Sequence, residues 1–320
     1  MENDNTINLF DVGCLISLRI GGWSGRKMIS RQDLISVGLD PDKLPSDICN
    51  FGRKLLISKI ELQNISKIEQ RSRYYLSQYS VPFGVCNAFF VPNKMVADVE
   101  HNLKCFKKDY FDIIDSFIVR FDTLKEEIKQ KHPDFWEKCL KQLYPPTAES
   151  LRSRYYFEWN LFKISGINSI QETTSEEIST KNQLMKERLQ KEVSGFVEQY
   201  VGSIREEVVR FCDLIKCRID GTPYGEEKEG KKLSPKTLTA FRKYIDRFRN
   251  LNIFGDSEIE TLLNQFKEQF LDAEFNGKTL ESSALQQAIL SSSKALRKAA
   301  SLENEQTSQF ISSLKRRVII

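Results

Sequence analysis

The sequence predicts a predominantly helical α+β fold: a small antiparallel sheet joined to a long antiparallel helical bundle or coiled coil. Two apolar stripes at steps of three and four residues carry the helical half of that expectation. Three short β-branched or aromatic stretches bounded by Gly or Pro carry the sheet. Composition sets the scale. The chain has 320 residues, 40% of them hydrophobic and 29% charged, with 15 Gly and 9 Pro. That is enough for one large core or two ordinary ones, and too little Gly and Pro for a collagenous or low-complexity chain.

The first strand candidate is Ile7–Ile20, which alternates in part and ends at Gly21-Gly22. Turn formers follow, and residues 59–78 then read as a helix. Val81–Val91, with Pro82 near its start and Pro92 just after its end, reads as a second strand. From Lys94 the pattern changes. Val96, Val99, Leu103, Phe106, Tyr110, Ile113, Phe117, Phe121, Leu124 and Ile128 follow one another on one helical face, and His132-Pro133 stops the run. Arg154–Ile164 is aromatic and alternating, the third strand candidate.

Residues 165–180 are polar and rich in Ser and Thr, which places a domain boundary there: residues 1–165 with the sheet and the first long helix, and residues 166–320 as a helical region. A second long helix is expected over residues 181–219, with a stripe running from Met185 and Leu189 to Phe211 and Ile215. It needs a partner of similar length, and the first long helix is the simplest one. After an exposed Gly- and charge-rich loop, Ser234-Pro235 supplies an N-cap and a first-turn proline. Ser257-x-x-Glu260 is a capping-box signature. One last Ala/Ser-rich helix, residues 281–314, has a thin apolar face.

Charge is nearly balanced, 48 Lys+Arg against 44 Asp+Glu. Residues 1–165 carry 24 basic and 21 acidic side chains, leaving 24 and 23 for the rest, so neither half is a polybasic domain. The seven cysteines are odd in number and scattered, without a Cys-x-x-Cys, so they read as reduced, buried small hydrophobes. No stretch reaches the ~18 apolar residues of a membrane span, and the N-terminus lacks the pattern of a signal peptide. A cytoplasmic protein is expected.

The most pointed local feature is Gly21-Gly22-Trp23-Ser24-Gly25-Arg26-Lys27. As an anion or partner-binding site, Trp23, Ser24, Gly25, Arg26 and Lys27 would combine close backbone approach with two cations. As a tight turn, Trp23 would anchor the strand and the cations would be solvated, which is the plainer reading. The P-loop spacing is absent. Basic residues gather in two places. Arg242, Lys243, Arg247 and Arg249 belong to one, and Lys315, Arg316 and Arg317 to the other. Both suit phosphate-backbone contact, but a solvated helix face or a surface for an acidic protein partner is the plainer reading, since neither half is a basic domain. A near-duplicate, Arg71-Ser72-Arg73-Tyr74-Tyr75 and Arg152-Ser153-Arg154-Tyr155-Tyr156, combines cations with stacking surfaces, with packing as the simpler account.

Only two histidines, His101 and His132, are present, and no ligand pair occurs at helical spacing, so no metal and no cofactor is expected. Asp109, Asp112 and Asp115 recur every three residues but follow a solvent face. Scarce imidazole argues against an enzyme.

The runs LISLRIGGWSGRKMI, DLISVGLDPDKLP, FGRKLLISK, YSVPFGVCNAFFVP and LRSRYYFEWNLFKI together resemble an uncharacterised domain-of-unknown-function family of bacteria, phages and integrative elements. The shared marks are Trp23 to Lys27, the turn at Gly38-Leu39-Asp40 and Leu44-Pro45, Gly52-Arg53-Lys54, and the strand end Val91-Pro92. The resemblance covers about the first 165 residues. Gly21-Gly22 before the Trp and the segment Val85-Cys86-Asn87 depart from it. It implies a neighbourhood of MoxR-like AAA+ ATPases and von Willebrand factor A proteins, in mobile-element, phage or defence settings. It brings no catalytic residues. The expected function is therefore a non-enzymatic interaction or adaptor subunit of an AAA+ ATPase system, with a homo-oligomer compatible. The alternative is a nucleic-acid-binding accessory factor using the two basic clusters, and a phosphate-handling enzyme around Trp23–Lys27 is a third reading.

Overall fold

The computed structural model describes residues 6–36, 38, 40, 52–84, 87–164, 176–272 and 282–319, with side chains omitted at 176–182 and 186. The first elements are β1 (Ile7–Asn8), α1 (Leu9–Val12), β2 (Gly13–Gly21), β3 (Arg26–Met28), α2 (Arg31–Ser36), β4 (Arg53–Leu55) and α3 (Lys59–Tyr79). Next come β5 (Val81–Phe83), β6 (Ala88–Pro92), α4 (Asn93–Lys131), α5 (Pro133–Phe135), a π-helical turn (Trp136–Leu140), α6 (Ala148–Arg152) and β7 (Tyr156–Phe162). The remainder is α7 (Glu176–Asp220), α8 (Pro235–Leu251), α9 (Ser257–Phe266), α10 (Ser283–Ala300), α11 (Glu305–Arg317) and β8 (Val318–Ile319). The fold is α+β and predominantly helical, with small antiparallel sheets.

The chain forms two compact units that interleave in sequence: residues 1–16, 78–96 and 161–320 make one, and residues 17–77 and 97–160 the other. In the first unit β5 and β6 form an antiparallel hairpin, and β6 pairs with the start of β2, Gly13 opposite Pro92 and Ile16 opposite Phe89. Phe83 and Phe90 pack on Phe196 of α7, at 4.9 and 5.3 Å between ring centres. Each such buried ring contributes about 2 kcal/mol by leaving water. The stripe of α7 is buried at Val193, Phe196, Tyr200, Ile204, Val208 and Ile215, against α8, α10 and α11, while Phe211 is half-buried and Met185 at its start is exposed. β1 and β8 pair in parallel, Ile7 with Val318, joining the two ends of the chain. Arg205, 1% exposed, ties the unit together. Its guanidinium donates to both oxygens of Asp256 at 2.7 and 2.9 Å, to the Ala299 carbonyl at 2.9 Å and to the Thr307 hydroxyl.

In the second unit the end of β2 neighbours β7, and β3 and β4 form a separate antiparallel ribbon. The α4 stripe buries Tyr110, Ile114, Phe117 and Phe121 here, with Trp23 against Phe117 and Phe121 and Tyr155 against Tyr110. Ile114, and not Ile113, is the fully buried isoleucine of that turn.

Several expectations are corrected. Within its own unit the α4 stripe packs on Trp23, Tyr155 and Phe157, and the α7 stripe packs on α8, α10 and α11; periodicity fixes which face is buried and leaves the partner open. The strand expected over Ile7–Ile20 is broken by α1, where the Asn8 side chain accepts from the Phe10 N–H at 2.9 Å and starts a helical turn. The single strand expected over 81–91 is two antiparallel strands, Val81–Phe83 and Ala88–Pro92. α9 is capped by Asp256, one residue before the capping box expected at Ser257. The final helix is two helices. Asn304 caps α11, and the break between Ala300 and Glu305 frees the carbonyls that Arg205 and Thr307 use. The two compact units do not follow sequence order, and residues of the first half enter both. Leu39, Leu44, Pro45, Val85 and Cys86, and the polar run 165–175, lie outside the described residues.

Candidate anion-binding cleft

Strand β2 ends at Gly21, and the chain turns through Gly22-Trp23-Ser24-Gly25 into β3. Gly22 must be a glycine: a Cβ there would lie 2.1 Å from the Tyr155 ring. Gly25 has φ +61°, the left-handed region that favours glycine, and a Cβ there would come within 2.9 Å of Leu62 and Ile57. Its carbonyl accepts from the Leu56 N–H at 2.8 Å, locking the turn to the residue after β4. The Trp23 indole is buried among Phe117, Phe121 and Tyr144, so it anchors the turn instead of presenting a ring to a ligand. The Tyr144 hydroxyl donates to the Leu56 carbonyl, and burial pushes that phenol up to about 12.

Within β3 and β4, Arg26 faces Leu55, Lys27 faces Lys54 and Met28 faces Arg53. Directly opposite residues share a face, and faces alternate along each strand. Arg26, Leu55, Met28 and Arg53 therefore lie on one side of the ribbon, and Lys27 and Lys54 on the other. The first side opens on a cleft of about 360 Å³ whose far wall is α3. Arg26, Arg53 and Lys59 line it, all exposed, together with Ser24, Ser66 and the carboxylate Glu69. Among the described residues none of the three cations has an acidic partner, whereas Glu69 is bound by Arg73 at 3.1 Å.

The other side of the ribbon is pinned. The Lys54 ammonium donates to both oxygens of Asp33 at 2.6 Å and to the Cys139 carbonyl at 3.3 Å. Asp33 also accepts from the Ser30 N–H and hydroxyl at 2.7 and 2.8 Å. Burial pushes the Asp33 pKa up, but Lys54 and Ser30 outweigh it and hold the carboxyl at about 2. This buried pair fixes the ribbon so that Arg26 and Arg53 project into the cleft.

Both Arg-Ser-Arg-Tyr-Tyr copies reach the end of β2, as their sequence positions did not indicate. Arg73 donates to the Ile20 carbonyl at 3.2 Å. The Tyr155 ring covers Gly22, and the Tyr156 hydroxyl lies over Gly21. Tyr110 of α4 donates to the Gly21 carbonyl at 2.9 Å. Burial raises the Tyr110 and Tyr155 phenols well above their ordinary value, so both stay neutral. Their roles are mainly structural, and Tyr74 alone of the pair's aromatics stands two-thirds exposed.

The family model described as "Protein of unknown function (DUF3150)" covers residues 11–292. The chain belongs to the DUF3150 family. The match runs well past the first 165 residues that carried the resemblance. No curated protein and no solved structure matches the chain. The cleft and the α8 cluster lie inside the DUF3150 match, and Lys315, Arg316 and Arg317 lie beyond its end.

Of the five residues expected at the anion site, the structure places Trp23, Ser24, Gly25 and Arg26 on the cleft and Lys27 on the opposite side of the ribbon. Arg53 and Lys59 take its place. Their pairing with Arg26 depends on a strand register that one sequence does not reveal, although Gly52-Arg53-Lys54 was among the marks of resemblance. The nucleic-acid cluster is internally engaged. Arg247 binds Glu207 and Gln78 and stacks on Tyr244 at 5.2 Å. Arg249 holds Asn264 at 2.7 Å, Arg242 stands 3.8 Å from Asp272, and Lys315 meets Glu198. Lys243 and Arg316 are exposed, and Arg317 is half-buried with contacts of its own. Asp109, Asp112 and Asp115 are exposed along α4, and among the described residues no group of three His, Cys, Asp or Glu side chains is arranged for a metal.

Proposed function

We propose that this DUF3150 protein is a non-enzymatic interaction subunit, an adaptor for a MoxR-like AAA+ ATPase acting with a von Willebrand factor A protein in a mobile-element, phage or defence setting. It works in the cytoplasm with reduced thiols. One observation supports the docking role above the rest. Met28, Leu55 and Ile60 are 55%, 43% and 73% exposed on the same compact unit as Arg26, Arg53 and Lys59. Large apolar side chains beside cations without acidic partners suit a protein surface that is itself apolar at its centre and acidic at its rim. The ATPase as the partner rests on the family resemblance.

Nucleic acid is the second reading. It loses support because Arg242, Arg247, Arg249 and Lys315 serve intramolecular contacts, and a phosphate contact would have to displace them. The test is co-purification of the tagged full chain with the neighbouring ATPase, wild type against Met28→Asp/Ile60→Asp. The wild type is expected to retain the ATPase and the variant to lose it while melting within a few degrees of wild type. A wild-type chain that ignores the ATPase, or a variant that still holds it, contradicts the proposal.

A further inference from the structure

We propose that the cleft between the β3–β4 ribbon and α3 binds a phosphate ester of a small molecule, of about mononucleotide size. Its volume of about 360 Å³ falls in the range of ligand sites, and its walls mix polar and apolar surface. The charge is one-sided. Arg26, Arg53 and Lys59 line it with no acidic partner among the described residues, and the one carboxylate present, Glu69, is neutralised by Arg73. Two guanidinium forks and an ammonium match the several oxygens of a phosphate monoester better than the two of a carboxylate.

Backbone donors add to this. The N–H groups of Trp23, Ser24 and Gly25 have no protein acceptor among the described residues, and all three residues line the cleft. Successive free amides in a turn with a left-handed glycine make an anion-binding concavity. Lys59 opens the 21-residue helix α3, so the positive end of that helix dipole lies at the same wall. For the organic part of the ester, Leu55, Leu62 and the Tyr155 ring supply apolar surface.

A bounded cleft favours a small ester over a polynucleotide. The two lysines that could extend a cationic track along the ribbon, Lys27 and Lys54, lie on its other side, and Lys54 is bound to Asp33. This proposal goes beyond the docking role and does not rest on it: Met28 and Ile60 do not line the cleft.

Isothermal titration of the full chain with adenosine monophosphate, inorganic phosphate and citrate tests the site. Saturable binding of the ester is expected, tighter than that of inorganic phosphate, with citrate weakest. Arg53→Ala and Arg26→Ala are each expected to weaken ester binding by at least about tenfold while keeping the wild-type melting profile. Lys27→Ala and Met28→Asp/Ile60→Asp are expected to leave it unchanged, so loss of ATPase capture and loss of ester binding are separable. Absence of ester binding up to about 10 mM would overturn the proposal, as would a preference for citrate or binding indifferent to both arginine substitutions.

Discussion

Asp33 and Lys54 show how a single buried contact sets up the cleft. Their side chains are nearly out of water, and removal of one partner strands the other's charge. Asp33→Asn is expected to lower stability by about 3 kcal/mol at neutral pH, read from thermal or denaturant melts. The pH dependence has a definite sign. The carboxyl falls from 3.8 to about 2 on folding, so its contribution is complete above about pH 5 and is lost progressively as the pH falls through 2. The wild type is therefore expected to lose stability through that window more steeply than Asp33→Asn. Parallel melts for the two proteins between pH 4 and 2 would contradict this. At this scale the sequence was partly legible: a Trp between glycines with cations after it pointed to Trp23 and Arg26. Asp33 was not legible, because its meaning comes from Lys54, 21 residues away and brought close by the ribbon.

At the scale of elements, the turn between β2 and β3 carries the site, and Gly25 carries the turn. Gly25→Val combines a strained φ of +61° with a side chain placed against Leu62 and Ile57. A loss of about 2–4 kcal/mol is expected in denaturant melts, together with loss of cleft binding. Gly38 also has positive φ, +81°, but open space around it, so Gly38→Ala is expected to lose only about 1 kcal/mol. Equal losses at both positions would show that the packing around Gly25 is not what matters. Helices α3, α4, α7 and α8 were readable from apolar spacing and breakers to within a few residues. The first strand was not: Asn8 caps a helical turn inside a β-branched run, a local hydrogen bond that overrides strand propensity. The break between α10 and α11 escaped for the same reason, since Asn304 and Arg205 decide it and Ala/Ser periodicity carries no trace of either.

For the whole molecule, the chain builds two units by passing between them, with residues 78–96 and 1–16 completing a unit made mostly of residues 161–320. Phe83 and Phe90 meet Phe196 across more than a hundred residues, a contact that periodicity cannot announce. The near-balance of charge was readable from composition, and its disposition was not. In the α8 and α11 clusters most basic side chains hold acidic or amide partners, while the cleft and its exposed apolar rim keep theirs open. That contrast is what supports the proposal of an interaction face on the second unit. Hydrogen exchange of the full chain with and without the AAA+ ATPase tests this most directly. Slowed exchange in residues 26–36 and 53–62, with α8 and α11 unchanged, is the expected result; protection confined to α8 and α11, or none anywhere, would contradict it.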